Sequence, residues 1–139
     1  MSASILVIED EESIQTLLRY NLEAGGYRVR ASAQGEDAAF LITEERPDLI
    51  VLDVAMPHLN GLEVTRRITR DLPDTRVLVL SSYSDEEYVQ QLTEQGACGY
   101  LVKQTAANDL IKAIREAHKG NAFFSPSISK RFLNQCREA

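Results

Sequence analysis

Cysteine and long apolar runs are scarce in this chain of 139 residues. Its two cysteines, Cys98 and Cys136, lie far apart and lack the spacing of a zinc site. This argues against a disulfide framework and for a reducing compartment. No apolar run approaches the roughly 20 residues of a membrane-spanning helix, and the segment from Met1 to Ser4 lacks the basic start of a signal peptide. We therefore expect a cytoplasmic protein that makes no membrane contact.

Basic residues are also in the minority. The chain has 21 acidic and 15 basic side chains, which gives a formal net charge of -6. An acidic surface repels phosphate backbones and anionic lipid, so we expect no direct nucleic-acid contact by these residues. Hydrophobic residues make up 44% and charged residues 26%, as in ordinary globular proteins. The length suits a single domain that needs no metal or disulfide to fold.

Short apolar runs alternate with stretches whose apolar residues recur at helical spacing. The runs predict strands at 5–8, 49–52, 77–80 and 100–102, and an alternating, arginine-bearing pattern predicts another at 27–31. Strands that alternate with helices form a parallel sheet covered on both faces. The alternating strand and the short last run fit the two edges. The fold class expected is therefore α/β, with a doubly wound, five-stranded parallel sheet of order 2-1-3-4-5.

Acidic residues follow the first and the third of these strands. Glu9 and Asp10 follow the run at 5–8, and Asp53 ends the run at 49–52. In a sheet of this order the switch point lies between strands one and three, and ligands bind there, outside the carboxyl ends. The three carboxylates should therefore share one crevice, where poor solvation demands a cation, a proton or a reaction. Glu11 and Glu12, which follow Asp10, are interpreted as solvated residues at the start of a helix.

Several motifs stand together in one order and spacing. They are the acidic pair Glu9-Asp10, the segment from Asp53 to Gly61, the pair Ser81-Ser82, and the segment from Gly99 to Lys103. With them, residues 4 to 118 resemble a response-regulator receiver domain, whose fold is flavodoxin-like, the CheY-like (βα)5 arrangement. The resemblance implies a module that takes a phosphoryl group from a sensor histidine kinase onto an aspartate, with Mg²⁺, and then changes shape.

The resemblance also assigns a role to each matching position. Asp53 matches the phosphoacceptor, Lys103 the phosphate-binding lysine, Ser81 the switch hydroxyl and Tyr100 the rotating aromatic. The implied metal ligands are Asp10, Asp53, the backbone carbonyl of Ala55 and, through water, Glu9. Glu9 replaces the commoner Asp and Ser81 the commoner Thr, and neither change removes a needed atom.

The end of the chain resembles one subgroup of the family. Gln104 stands where many members have proline, and Ser125-Pro126 follows the last main helix, as in the receivers of NarL/LuxR-type transcription regulators. We expect a phosphoacceptor domain over 1–120 and a short amphipathic helix or linker over 121–139. This segment would lead toward an output domain, or would end a stand-alone receiver. A phosphorylation-dependent homodimer is a further expectation.

Other functions fit the same residues less well. A haloacid-dehalogenase-type hydrolase needs a second aspartate two residues after Asp53, where this chain has Ala55. Flavodoxin-like electron transfer needs a hydroxyl-rich phosphate loop after strand one, and P-loop and dinucleotide glycine motifs are missing. We therefore expect a signalling switch that catalyses only its own phosphorylation and dephosphorylation. The alternative left open is a degenerate receiver that binds partners without being phosphorylated.

Overall fold

Strands and helices alternate along the chain in the computed structural model, which describes residues 3–34, 38–54, 61–81, 90–92, 94–103, 106–119 and 123–124. The strands are β1 (Ser4–Ile8), β2 (Arg28–Ser32), β3 (Leu49–Asp53), β4 (Arg76–Ser81), β5 (Gly99–Val102) and β6 (Phe123–Phe124). The helices are α1 (Glu12–Ala24), α2 (Ala38–Glu45), α3 (Gly61–Asp71) and α4 (Ala106–His118). Residues 90–92 and 94 are helical as well. No helix in these ranges is long and apolar enough to cross a membrane.

The six strands form one parallel sheet of order β2-β1-β3-β4-β5-β6. The predicted order 2-1-3-4-5 is confirmed, and each predicted strand agrees with the observed one to within one residue at either end. The prediction that the run at 100–102 lies at an edge is wrong for Tyr100, because Tyr100 pairs with Phe124 of β6. Two residues are too few to show a strand periodicity. The helix predicted within 121–139 lies outside the described residues.

Burial explains why the central strands read as uninterrupted apolar runs. Every residue of β3 is buried, as are all but the first of β1 and β4. In β2, by contrast, Arg28 and Arg30 are exposed and Val29 between them is half-buried. A strand with one face in water alternates in sequence, and its charged side chains discourage pairing with another chain.

Helices cover both faces of the sheet, so the core has two layers. In one layer the strand side chains pack with Ile42 of α2 and Ile68 of α3. In the other they pack with Leu18 and Leu22 of α1 and with Leu110 and its neighbours in α4. Full burial of a side chain of this size contributes about 1.5–3 kcal/mol. The carboxyl ends of the strands therefore project from a rigid support.

The turn before β5 depends on a glycine. Gly96 has a φ of +111°, and a Cβ atom there would collide with the side chain of Thr69 on α3. Only glycine combines this backbone conformation with so close an approach. The turn leads directly into β5, and hence sets where the residue that follows β5 is placed.

Candidate functional site

The candidate site lies where β1, β3, β4 and β5 end. Glu9 follows β1, Asp53 is the last residue of β3, Ser81 is the last residue of β4, and Lys103 follows β5. Glu9, Asp53 and Ser81 are all buried, whereas Asp10 is exposed. Parallel strands bring their carboxyl ends to one edge, which is why residues so distant in sequence meet there.

Lys103 connects two of the acids. Its Nζ donates a hydrogen bond to Asp53 Oδ2 at 3.0 Å and another to Glu9 Oε2 at 3.1 Å. The side chains of Lys103, Glu9 and Asp53 are 8%, 0% and 1% exposed, respectively. A third carboxylate, that of Glu11, lies farther from Nζ, at 3.8 Å, and is largely exposed. A buried ammonium thus bridges the ends of β1 and β3.

The acids also gather around a point that can hold a metal ion. One carboxylate oxygen each from Glu9, Asp10 and Asp53 can be chosen so that all three lie within 4.8 Å of one another. When all are ionised, three carboxylates and one ammonium leave a net charge of -2, which a divalent cation neutralises. The sequence-based prediction that these acids share one crevice is therefore confirmed.

One oxygen in the cluster accepts no hydrogen bond from the part of the chain that the structure describes. Glu9 Oε1 is buried and accepts none from the described residues, although Lys103 Nζ lies 3.0 Å away as an ion-pair partner. The lysine directs its hydrogen bond to the other oxygen, Oε2. A carboxylate oxygen has more than one lone pair, so Oε1 can also bind a hard divalent cation, which prefers oxygen ligands. The donor set therefore fits Mg²⁺.

Burial and charge shift the pKa values of the bridged pair. Burial raises the pKa of Glu9 to about 7, and hydrogen bonds from the Glu11 amide and from Lys103 only partly offset it. Burial by itself lowers the pKa of Lys103, but the hydrogen bonds to Asp53 and Glu9 outweigh burial and raise it above the usual value. A cation bound beside Glu9 favours the ionised carboxylate, so metal binding and proton release are linked.

Hydrogen bonds fix the loop that carries the acid pair. The amide of Glu9 donates to the carbonyl of Ser32 at 3.0 Å, and the amide of Glu11 donates to Glu9 Oε2 at 2.9 Å. The side-chain amide of Gln15 donates to the carbonyl of Glu9 at 3.1 Å. Sequence reasoning singled out neither Gln15 nor the amide of Glu11. The sequence offered only a weak signal, a polar residue directly beside the apolar stripe that contains Ile14 and Leu18.

The remaining predicted residues fall into two groups. Ser81 pairs in register with Val102, the residue before Lys103, so the hydroxyl and the ammonium come from neighbouring strand ends. Tyr100 is buried in the core layer of α2 and α3 at 1% exposure, and its assigned rotation on switching stays a prediction. Ala55 and Gln104 lie outside the described residues, so their assigned roles stay predictions.

Comparison with known proteins shows what this arrangement resembles. Residues 5–115 match the family described as the response regulator receiver domain. The chain is 35% identical over 138 residues to the transcriptional regulatory protein DegU of Brevibacillus brevis, which covers 96% of the chain and 57% of DegU. It is 38% identical over 128 residues to the alkaline phosphatase synthesis transcriptional regulatory protein PhoP of Bacillus subtilis, with 91% and 53% covered. The chain thus spans just over half the length of these curated relatives.

A solved structure extends the similarity to the whole fold. The two-component response regulator of the LuxR family from Aurantimonas sp. SI85-9A1 superposes with a TM-score of 0.85 at 28% identity. The superposition covers 100% of both chains. The overall fold is therefore one that this chain shares with a known response regulator.

Proposed function

Because this chain belongs to the response-regulator receiver family of two-component signalling proteins, we propose that Asp53 accepts a phosphoryl group from a sensor histidine kinase. The observation that carries this proposal is the environment of Asp53. Its carboxylate is buried, lies 3.0 Å from Lys103 Nζ, and shares a cluster with Glu9 and Asp10. The receiver family is a family of signalling domains rather than of metabolic enzymes.

The proposed chemistry is an in-line displacement at phosphorus. An oxygen of the Asp53 carboxylate attacks, the new O–P bond forms, and the bond from phosphorus to the donor's histidine nitrogen breaks. Such transfers depend on positioning and on neutralising the charge of the equatorial oxygens. Lys103 supplies one positive charge within hydrogen-bond distance of the attacking carboxylate.

Mg²⁺ is the proposed cofactor, and when bound it supplies a second positive charge to the transferring group. Asp10 and Asp53 would hold it directly, with the carbonyl of Ala55, and Glu9 would reach it through water. Mg²⁺ prefers oxygen ligands and keeps several waters. This fits an exposed Asp10 beside two buried acids, since one side of the cluster is open to solvent.

The conformational response is proposed to run through Ser81 and Tyr100. Moving a two-state protein from about 1:99 to 99:1 takes roughly 5.5 kcal/mol of differential binding. Charge-assisted hydrogen bonds of roughly 1.5–3 kcal/mol each supply that through two or three contacts with the phosphoryl group. We propose that Ser81 and Lys103 make these contacts, and their origin at neighbouring strand ends supports this. Tyr100, buried on β5 two residues before Val102, would hold the inward position in the switched state.

The consequence of switching is proposed from the relatives. DegU and PhoP are transcriptional regulatory proteins, and this chain spans just over half of each. We propose that residues 1–120 are the phosphoacceptor unit and that 121–139 lead toward a DNA-binding output domain of the NarL/LuxR type. Control would pass through a phosphorylation-dependent homodimer, and these residues themselves would make no nucleic-acid contact.

Intact mass spectrometry tests the phosphoacceptor directly. The wild-type protein, incubated with acetyl phosphate and Mg²⁺, should gain one phosphoryl group, and EDTA should prevent the gain. Asp53→Asn should gain none, while the exposed control Asp74→Asn should react like the wild type. A folded wild-type protein that never gains a phosphoryl group would replace this proposal with the degenerate receiver.

A further inference from the structure

We propose that Gln15 is a positioning residue for Asp10, which with Asp53 is proposed to bind the metal directly. Of these two carboxylates, only that of Asp53 accepts a hydrogen bond from Lys103. The inference rests on the proposed Mg²⁺ site, and concerns how this chain builds that site. Gln15 does not reach the acids with its own ligand atoms. It acts on the short segment from which Asp10 projects, between the end of β1 and the start of α1.

Among the described residues, no side chain hydrogen-bonds to Asp10 and orients it. Unlike Glu9 and Asp53, which both accept a hydrogen bond from Lys103, the Asp10 carboxylate makes no hydrogen bond or ion pair with any described residue. It is also exposed. Its direction is therefore set by the backbone on either side of it.

Gln15 bonds to both of the residues that flank Asp10. Its side-chain Nε2 donates to the carbonyl of Glu9 at 3.1 Å, and its backbone amide donates to the carbonyl of Glu11 at 2.9 Å. The first bond fixes the plane of the peptide that joins Glu9 to Asp10. The second is the opening hydrogen bond of α1. Together they hold residues 9–11 against the first turn of α1, with Asp10 in the middle of this segment.

The N-cap side chain of α1 does not hold this segment in place of Gln15. Glu11, the N-cap residue of α1, has an extended backbone and makes no side-chain hydrogen bond to the first turn. Gln15 is half-buried on the inward side of α1, next to Leu18 in the core layer. Partial burial shields its amide from competing water, so the bond to Glu9 is stronger than an exposed one. A glutamine here has a specific use that helix propensity alone does not give it.

Three variants separate positioning from charge. Gln15→Met removes the donor but keeps the length and a good helix former. Gln15→Glu keeps the shape, replaces the donor by an acceptor, and adds a negative charge that on its own would favour Mg²⁺. Gln91→Met is the matched control, because Gln91 is an exposed helical glutamine distant in sequence from the acids.

The main readout is the Mg²⁺ dissociation constant, measured by calorimetry with the metal alone. Residues that orient metal ligands typically contribute 10–100-fold to affinity, so we expect both Gln15 variants to bind about tenfold more weakly and Gln91→Met to be unchanged. The labelling rate with acetyl phosphate should recover at saturating Mg²⁺. In the metal-free protein, amide hydrogen exchange at Glu11 should accelerate in both Gln15 variants while the free energy of unfolding changes little.

The outcomes distinguish this inference from the proposed function. If either folded Gln15 variant binds Mg²⁺ as tightly as the wild type, or if the exchange rate at Glu11 is unchanged, the positioning role is overturned. Should Gln15→Met fail to fold, Gln15→Glu carries the same test. A wild-type protein that binds no Mg²⁺ would overturn the proposed cofactor, and this inference with it.

Discussion

Replacing Lys103 by methionine should destabilise the metal-free protein and leave two buried acids without their cation. Among the described residues, Lys103 is the cation that donates to both Glu9 and Asp53. Methionine keeps most of the length and apolar stem of lysine but has no charge and no donor. The substitution therefore removes the ionic contacts while disturbing the packing little.

The expected magnitude follows from the burial of the partners. Glu9 and Asp53 are 0% and 1% exposed, so neither can recover the lost contact from bulk water. Removing one member of a buried ion pair typically costs about 3–5 kcal/mol, because the other charge is left uncompensated. We expect a loss in this range near neutral pH, which is a large part of the about 5–15 kcal/mol that stabilises a typical domain.

The loss should depend on pH in a definite direction. The pKa of Lys103 is raised above 10.5, so the ammonium of the wild type stays charged at every pH well below that value. Glu9, by contrast, takes up a proton as the pH falls through its raised pKa of about 7, and a protonated acid no longer needs the missing cation. The deficit of Lys103→Met should therefore shrink from mildly alkaline to mildly acidic pH.

Urea unfolding in EDTA, followed by circular dichroism at several pH values, measures this deficit. Lys119→Met is the control, because Lys119 is 66% exposed and its ion pair with Glu116 spans 3.8 Å. Such surface pairs contribute about 0–1 kcal/mol. A Lys103→Met protein that is as stable as Lys119→Met, or whose deficit does not change with pH, would refute the idea that a buried ammonium stabilises these acids.

Three further predictions concern single groups. Because burial raises the pKa of Glu9 from 4.5 to about 7, native protein binds more protons than unfolded protein between these values, and this acid's contribution to stability falls as the pH rises. In EDTA, Glu9→Gln should remove that fall, so that its free energy of unfolding rises relative to the wild type by up to about 3 kcal/mol between pH 4.5 and about 7. If the free energy of unfolding changed equally with pH in both proteins, this prediction would be contradicted. Gly96→Ala should lower the free energy of unfolding by more than the about 1–2 kcal/mol expected of Gly26→Ala. Both glycines have positive φ, but only at Gly96 would a Cβ atom collide with Thr69. Equal losses of stability in urea unfolding would contradict this. Ser81→Ala should still be labelled by acetyl phosphate but should show less change in tyrosine fluorescence, and a full wild-type change would exclude the hydroxyl from the switch.

The order of the sheet was predictable because the hydrophobic pattern of each strand reflects how far that strand is buried. β3 is buried on both faces and is continuously apolar, whereas β2 exposes Arg28 and Arg30 on one face. β6 escaped this reasoning for a physical reason. Two aromatic residues, Phe123 and Phe124, form a strand only because the chain after α4 returns beside β5, and that is decided by tertiary packing.

The site was predictable to a different depth for different residues. The meeting of Glu9, Asp10 and Asp53 follows from their positions at strand ends together with the strand order. That Lys103 reaches two acids at once depends on the path of a side chain, and the motif spacing implied only that it faces the phosphate. Gln15 was missed because its bond crosses from a helix to a loop six residues earlier, a relation that no periodic pattern records.

The contacts of Lys103 connect the resting site with the proposed switch. Its Nζ lies 3.0 Å from Asp53 Oδ2 and 3.1 Å from Glu9 Oε2, so the resting protein already uses two of the lysine's three donors on the acids. A phosphoryl group on Asp53 would place new negative oxygens beside the same ammonium. Lys103 would then give up part of its contact with Glu9, whose carboxylate would become less stable unless a cation stayed nearby. Phosphorylation and metal binding should therefore favour each other, and the coupling must act equally in both directions.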